Sequence, residues 1–332
     1  MGGTGKRAAS IGASVIRGVF ALLIFILALL LVARVAAGFR ERGAAAPAGT
    51  QRFTTPSGAV AARVVGRPDG PSIVLVHGTA AWSGFWKDVA DHLASRGWRV
   101  VAIDLPPFGW SDHDPQRRYD RIAQAERLNA VLKAQRRPAV VVAHSFGAGA
   151  ATELALRHPD EVRALVLVDA ALGELDPKGE GAAARLLSAR PVAEAVTSAG
   201  LTNPAALEPL LRSMIVRKDM ARRWLPVLRQ PMRRKGTTSA YAAWLPSLFA
   251  KDDGALSRRS DRLSAIRVPV ALIWGGADSV TPLEQGRRIS ALTRARSLTV
   301  IPGVGHIPHI EDPQAFQAAL DRALINVSTE GK

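Results

Sequence analysis

A chain of 332 residues, 48% of them hydrophobic, is long enough for one large α/β domain or two small ones and too apolar to be disordered. It has no cysteine, which excludes disulfide frameworks, thiolate zinc sites and cysteine nucleophiles together. The net charge of +16 comes without a helix-turn-helix, zinc-finger or aromatic RNA-binding pattern, so an anionic membrane surface is expected as partner rather than nucleic acid, at about 1 kcal/mol per juxtamembrane Lys or Arg.

The first element supplies a membrane contact. Residues 18–33, GVFALLIFILALLLVA, carry no charge and follow Lys6, Arg7 and Arg17. At about 1.5 Å per residue the run covers about 24 Å; residues 35–39 extend it toward the ~30 Å of a hydrocarbon core while Arg34 snorkels. Residues 1–41 therefore read as a basic leader and single-pass membrane anchor, with the remainder of the chain expected outside the cytoplasm. A signal peptide cleaved after the small residues Val35-Ala36-Ala37 is the alternative. Residues 42–50, RGAAAPAGT, are small and aperiodic and read as a linker.

A hairpin is predicted over residues 51–65, turning at Pro56-Ser57-Gly58. Apolar, β-branched runs at 73–76, 100–103, 140–142, 164–168, 270–273 and 298–301 then alternate with helical stretches at 86–96, 121–136, 146–158 and 313–325. Runs that are apolar throughout suit parallel strands covered on both faces. Residues 51–171 and 264–332 are thus expected to form the two parts of one α/β core: a mostly parallel, doubly wound sheet with an antiparallel start, flanked by helices. Residues 172–263 lack a convincing strand and are broken by prolines from Pro177 to Pro246. They read as a helical cap over the carboxyl ends of the strands, or as a peripheral helical subdomain.

Reactive groups in open α/β sheets sit beyond the carboxyl ends of the strands. Ser145 follows the strand that ends at Ala143 and opens a helix, within Ala143-His144-Ser145-Phe146-Gly147; small residues two before and two after suit a sharp strand-to-helix turn. A serine hydroxyl is a weak nucleophile at neutral pH, so it needs a base, and the base needs a carboxylate to hold it. His306, in Gly305-His306-Ile307-Pro308-His309 after the last strand, is the candidate base; His309 reads as a loop residue, and His77 and His144 flank turns. Asp278, beyond the strand 270–273, is the first candidate acid. Asp169, at the end of 164–168, is the second, and otherwise a loop-fixing carboxylate; Asp104 is expected to order the turn from Pro106 to Ser111. The backbone N–H groups of Phe146 and of Thr79, in His77-Gly78-Thr79-Ala80, are the expected oxyanion donors. Trp82, Phe85, Trp86 and Trp110 are expected to border the site, and Tyr241, Trp244, Leu245 and Phe249 to cluster in the cap, or half of these residues to be core. Residues 212–235 hold nine Lys or Arg and one Asp, read as a solvated helical face or a contact with acidic lipid.

The ordered set HGT, DLPPFGWSD, AHSFG, WGGAD and GVGHIPHIEDP resembles the α/β-hydrolase superfamily, specifically its capped serine esterases and carbon–carbon bond hydrolases, over residues 51–328. The resemblance implies Ser145 as nucleophile, Asp278 as acid and His306 as base, with Thr79 and Phe146 as oxyanion donors. Ser145 stands where the superfamily's haloalkane dehalogenases and epoxide hydrolases carry aspartate, and His144 and Ile307 stand where its carbon–carbon hydrolases usually carry Asn and Trp. The implied activity is hydrolysis of a small apolar carboxylic ester through an acyl-enzyme. Carbon–carbon bond hydrolysis, acyl transfer and perhydrolysis use the same intermediate and stay open, as does a non-catalytic binding protein of the same fold. No Gly-rich dinucleotide turn or cluster of metal ligands appears, so neither cofactor nor metal is expected.

Overall fold

The computed structural model describes residues 4–173, 175–176, 181–250 and 254–328, with side chains from Ile16 onward. The side chains of Lys6 and Arg7, Pro177 and residues 329–332 lie outside the described residues. Helix α1 (Thr4–Arg40) runs unbroken well past the charge-free stretch, since neither Arg34 nor the residues after it break a helix. Its segment Ile16–Arg40 contains an 18-residue stretch with a mean hydropathy of 2.9, and its large apolar side chains, Phe20, Ile24 and Leu27 among them, are exposed.

Strands β1 (Gln51–Thr55) and β2 (Gly58–Gly66) form the expected hairpin, with Gly58 at a φ of 109° that a side chain would resist. The core continues through β3 (Ser72–Val76), α2 (Lys87–Ser95), β4 (Arg99–Ile103), α3 (Arg121–Gln135), β5 (Ala139–His144), α4 (Phe146–Arg157) and β6 (Val162–Val168). Helices α5 (Ala182–Ser188), α6 (Arg190–Ala199), α7 (Pro204–Met214), α8 (Met220–Arg229), α9 (Thr237–Phe249) and α10 (Ser260–Leu263) follow. The chain then returns through β7 (Val270–Gly275), α11 (Leu283–Thr293), β8 (Ser297–Ile301), α12 (Pro308–Glu311) and α13 (Pro313–Ser328).

The eight strands form one sheet in the order β1-β2-β4-β3-β5-β6-β7-β8, antiparallel at β1 and β2 and parallel from β4 to β8. Strand alternation divides the apolar side chains between two layers. Val74 and Val76 join the core beneath α3 and α4, whereas Ile73 and Leu75 join the one beneath α2 and α13. Each such fully buried side chain contributes about 1.5–3 kcal/mol. The winding direction reverses between β3 and β5, opening a crevice at their carboxyl ends where α/β sheets bind ligands. His77-Gly78-Thr79 leaves β3 there, and Ser145 leaves β5.

The carboxyl end of α1 is fastened to the helices between β6 and β7. Arg34 pairs with Glu194 of α6 at 3.0 Å, Arg40 donates to the Thr202 carbonyl at 3.1 Å, and the Thr238 N–H of α9 donates to the Glu41 carboxylate at 2.8 Å.

Candidate active site

Ser145 occupies the turn between β5 and α4 with φ 50° and ψ −120°, a conformation that costs a residue with a side chain about 1–3 kcal/mol. The fold holds it there. Its N–H donates to the Val168 carbonyl, and its carbonyl accepts from Ala148 and Ala171. The small neighbours are needed sterically: a Cβ on Gly147 would lie 2.4 Å from the His77 carbonyl oxygen. Gly78, on the loop after β3, approaches from the other side, where an added Cβ would sit 3.0 Å from the Ser145 Cβ and 2.7 Å from His144 Nδ1. That contact brings the loop bearing Thr79 against Ser145, while Phe146 stands at the start of α4, where the first N–H groups have no acceptor within the helix.

His306 Nε2 and Ser145 Oγ lie 2.8 Å apart, and His306 Nδ1 lies 2.8 Å from Asp278 Oδ2. All three residues are buried, with Ser145 at 6% exposure. Asp278 is held in turn by Thr281, whose hydroxyl donates to Oδ2 at 2.6 Å, and by the Val280 and Thr281 N–H groups, which donate to Oδ1 at 2.7 and 3.0 Å. Burial alone would push this carboxyl up, but hydrogen bonds and charge from His306 and the Thr281 donors outweigh it and hold it at about 2. An ionised Asp278 keeps the His306 proton on Nδ1, leaving Nε2 to accept from the serine.

Asp169 does not contact the imidazole in place of Asp278. Its Oδ1 accepts from the Gly275 N–H at 2.8 Å, fixing the end of β7, while its fully buried Oδ2 has no donor among the described residues. Burial and the neighbouring charge of Asp278 drive its carboxyl well above the usual range. A neutral Asp169 can donate to Asp278. Asp169, Asp278 and His306 offer ligand-type atoms within 4.8 Å of one another, and within this cluster His306 Nδ1 and Asp278 Oδ2 are hydrogen-bonded to each other.

The other histidines near the site, His77, His144 and His309, contact the surrounding backbone and core instead of Ser145. His144 Nε2 faces the His306 carbonyl at 2.7 Å, and burial pushes its imidazole down to about 3. His77 accepts from the Leu105 N–H at 2.8 Å. His309 lies in α12 rather than a loop, stacked 4.2 Å from Trp86, because Pro308 starts a helical turn. Asp104 accepts from the Ser83 and Trp110 N–H groups, both at 2.7 Å, and so orders the turn that follows it.

The aromatic wall differs from the sequence expectation. Trp86 belongs to the core beneath α2 and α13, and Phe249 is 44% exposed. Phe146 instead meets Trp244 edge-on at 5.4 Å, with Phe108 packed against Tyr241, Trp244 and Phe146. Three contributors escaped the sequence reading: Phe108, Thr281 and Glu311. Thr281 had a signal, since a hydroxyl three residues after a loop aspartate favours such a turn. Glu311 accepts from Gly305, Val216 and Arg217 N–H groups at 2.9, 2.6 and 3.2 Å, and the His306 N–H donates to the Met214 carbonyl at 2.9 Å. The histidine loop is therefore tied to the segment between α7 and α8.

Comparison with known proteins identifies the family. The chain is 31% identical over 251 residues to a pimeloyl-[acyl-carrier protein] methyl ester esterase of Chromobacterium violaceum, covering 76% of this chain and 93% of the relative. It is 28% identical over 252 residues to a 2-hydroxymuconate semialdehyde hydrolase of Pseudomonas sp. strain CF600, covering 74% and 83%. A bacterial membrane phospholipase A superposes with a TM-score of 0.65 at 22% identity, over 98% of this chain and all of that one, a likeness of fold. A family model described as alpha/beta hydrolase fold matches residues 71–313, and the chain belongs to the α/β-hydrolase family.

Proposed function

We propose that the chain is a serine hydrolase that cleaves small apolar carboxylic esters through an acyl-enzyme on Ser145. The observation that carries the reading is the continuous line from Ser145 Oγ through His306 to Asp278, 2.8 Å at each step, at the reversal point of the sheet. In the proposed cycle His306 Nε2 takes the serine proton as Oγ adds to the carbonyl carbon. The Phe146 and Thr79 N–H groups receive the negative oxygen, and the departing alcohol takes the proton back. Water, deprotonated by the same imidazole, then releases the acid. The buried Phe108, Phe146, Tyr241 and Trp244 favour an uncharged acyl group, with residues 172–263 serving as the cap that encloses it.

The esterase relative supports ester cleavage, and the semialdehyde hydrolase relative supports a second reading, carbon–carbon bond hydrolysis on the same serine. Turnover of p-nitrophenyl butyrate and of a vinylogous 1,5-diketone by one preparation separates them. Ester cleavage at least tenfold faster in kcat/KM is expected; the reverse ratio installs the second reading. Residues 1–41 act in this proposal as a retained anchor, with the catalytic domain outside the cytoplasm. The Arg34–Glu194 ion pair, which cleavage before Gly38 would remove, favours retention over signal cleavage. The protein is then expected to stay with membranes in high salt, because apolar insertion is not screened. Release by salt, or a mature N-terminus near Gly38, contradicts it.

A further inference from the structure

Two cavities meet where α1 joins the helical layer. One, of about 470 Å³, is lined by Arg40, Arg42, Arg229 and Arg233 above the apolar Leu207 and Met232. The other, of about 540 Å³, is a groove along α1 lined by Ile26, Leu29, Leu30, Ala33, Ser198 and Ala199. Arg40 lines both, so the basic cavity continues into the apolar groove. Among the described residues none of the four arginines forms an ion pair, although Arg34, one turn and a half back along α1, pairs with Glu194. The nearest carboxylate in sequence, Glu41, is occupied by the Thr238 N–H. Arg40 and Arg229 spend one donor each on the Thr202 and Pro204 carbonyls; Arg42 and Arg233 have no side-chain hydrogen bond among the described residues.

From this arrangement we infer a binding site for one anionic phospholipid, its phosphate diester among Arg40, Arg42, Arg229 and Arg233 and an acyl chain in the groove along α1. Guanidinium groups match phosphate oxygens with paired donors, and four of them unpaired in one cavity repel one another until an anion enters. A soluble anion explains the arginines but not the groove. A neutral lipid explains the groove but not the arginines. Basic pockets beside membrane helices suit anionic headgroups for both reasons. The site rests on α1 being retained in the membrane and is independent of the reaction at Ser145.

The test uses full-length protein in a neutral detergent, titrated with dihexanoyl phosphatidylglycerol below its micellar concentration and followed by thermal unfolding. Parallel titrations use dihexanoyl phosphatidylcholine and inorganic phosphate. Saturable stabilisation by the glycerol lipid is expected, with at least tenfold weaker effects from the other two. The double variant Arg42→Gln, Arg233→Gln, which removes no hydrogen bond or ion pair and only the contact of Arg42 with the Phe39 ring, is expected to weaken phosphatidylglycerol binding at least tenfold and to leave p-nitrophenyl butyrate turnover unchanged. Arg212→Gln with Arg222→Gln, on basic residues outside the cavity, is expected to leave binding unchanged. Equal binding of the two lipids, equal saturation by phosphate, or unchanged lipid affinity in the Arg42/Arg233 variant overturns the site. Salt extraction of native membranes tests the anchor separately, and absence of ester turnover bears only on the proposed reaction.

Discussion

Two buried carboxylates beside one imidazole cannot both be charged cheaply, and their surroundings assign different states to them. Asp278 has three donors and a histidine; Asp169 has one donor and a bare oxygen. Asp278→Asn is therefore expected to lower kcat by about 10⁴-fold, because an amide can turn its NH2 toward Nδ1 and fix the wrong tautomer. Asp169→Asn keeps a donor facing Asp278 and is expected to cost less than tenfold. Steady-state kinetics on p-nitrophenyl butyrate ranks the two, and the opposite order would move the acid to β6. The backbone at Ser145 allows a second test. Ser145→Gly relieves its φ of 50° and is expected to stabilise the fold by about 1 kcal/mol in urea unfolding, while Ser145→Ala keeps the strain and does not. Equal stability of the two variants would mean that the turn stores no strain.

At the scale of elements, Glu311 links the histidine loop to the connection between α7 and α8 through three backbone N–H groups. Glu311→Ala leaves these donors without their acceptor and is expected to cost about 3 kcal/mol of stability. It should also lower kcat more than it changes KM for a small ester, with partial recovery in Glu311→Gln. A fall in stability with kcat intact would confine Glu311 to a structural role. This link was not legible in the sequence, because it joins residues about a hundred positions apart that no periodicity relates. The strands were legible for the opposite reason: residues 73–76 and 140–142 are apolar on both faces, a pattern that buried parallel strands impose locally. The turn at Ser145 was legible because close packing there leaves no room for a side chain at Gly147. The aromatic residues misled for want of such a constraint. A tryptophan after a strand fits the core as well as a pocket, and Trp86 took the core, stacked on His309.

At the scale of the whole molecule, protons distinguish the folded from the unfolded chain. Burial holds His77 and His144 down, at about 4 and about 3, places His113 at about 4 with Arg234 adding to the effect, and keeps His309 well below its ordinary value. Burial also raises Asp104 to about 6 and lifts Asp169 well above its ordinary value. Between pH 6 and 4 the unfolded chain thus carries protons on these four histidines that the folded chain keeps off, while the folded chain holds protons on the two carboxyls. The unfolded chain therefore binds more protons than the folded one in that window, and stability falls as pH drops through it. Asp169→Asn removes a carboxyl that burial holds protonated in the folded chain and should steepen that fall in chemical unfolding followed across pH. A flat profile over pH 6 to 4 would mean that these histidines are not buried in their neutral form.

The account depends most on a covalent acyl group passing through Ser145. Mixing the full-length protein with p-nitrophenyl butyrate, quenching in acid during turnover and mapping the peptides by mass spectrometry reads this directly. A butyryl adduct on the peptide containing Ser145, absent from Ser145→Ala together with its activity, is the expected result; an adduct on another residue, or ester turnover retained by Ser145→Ala, would contradict it.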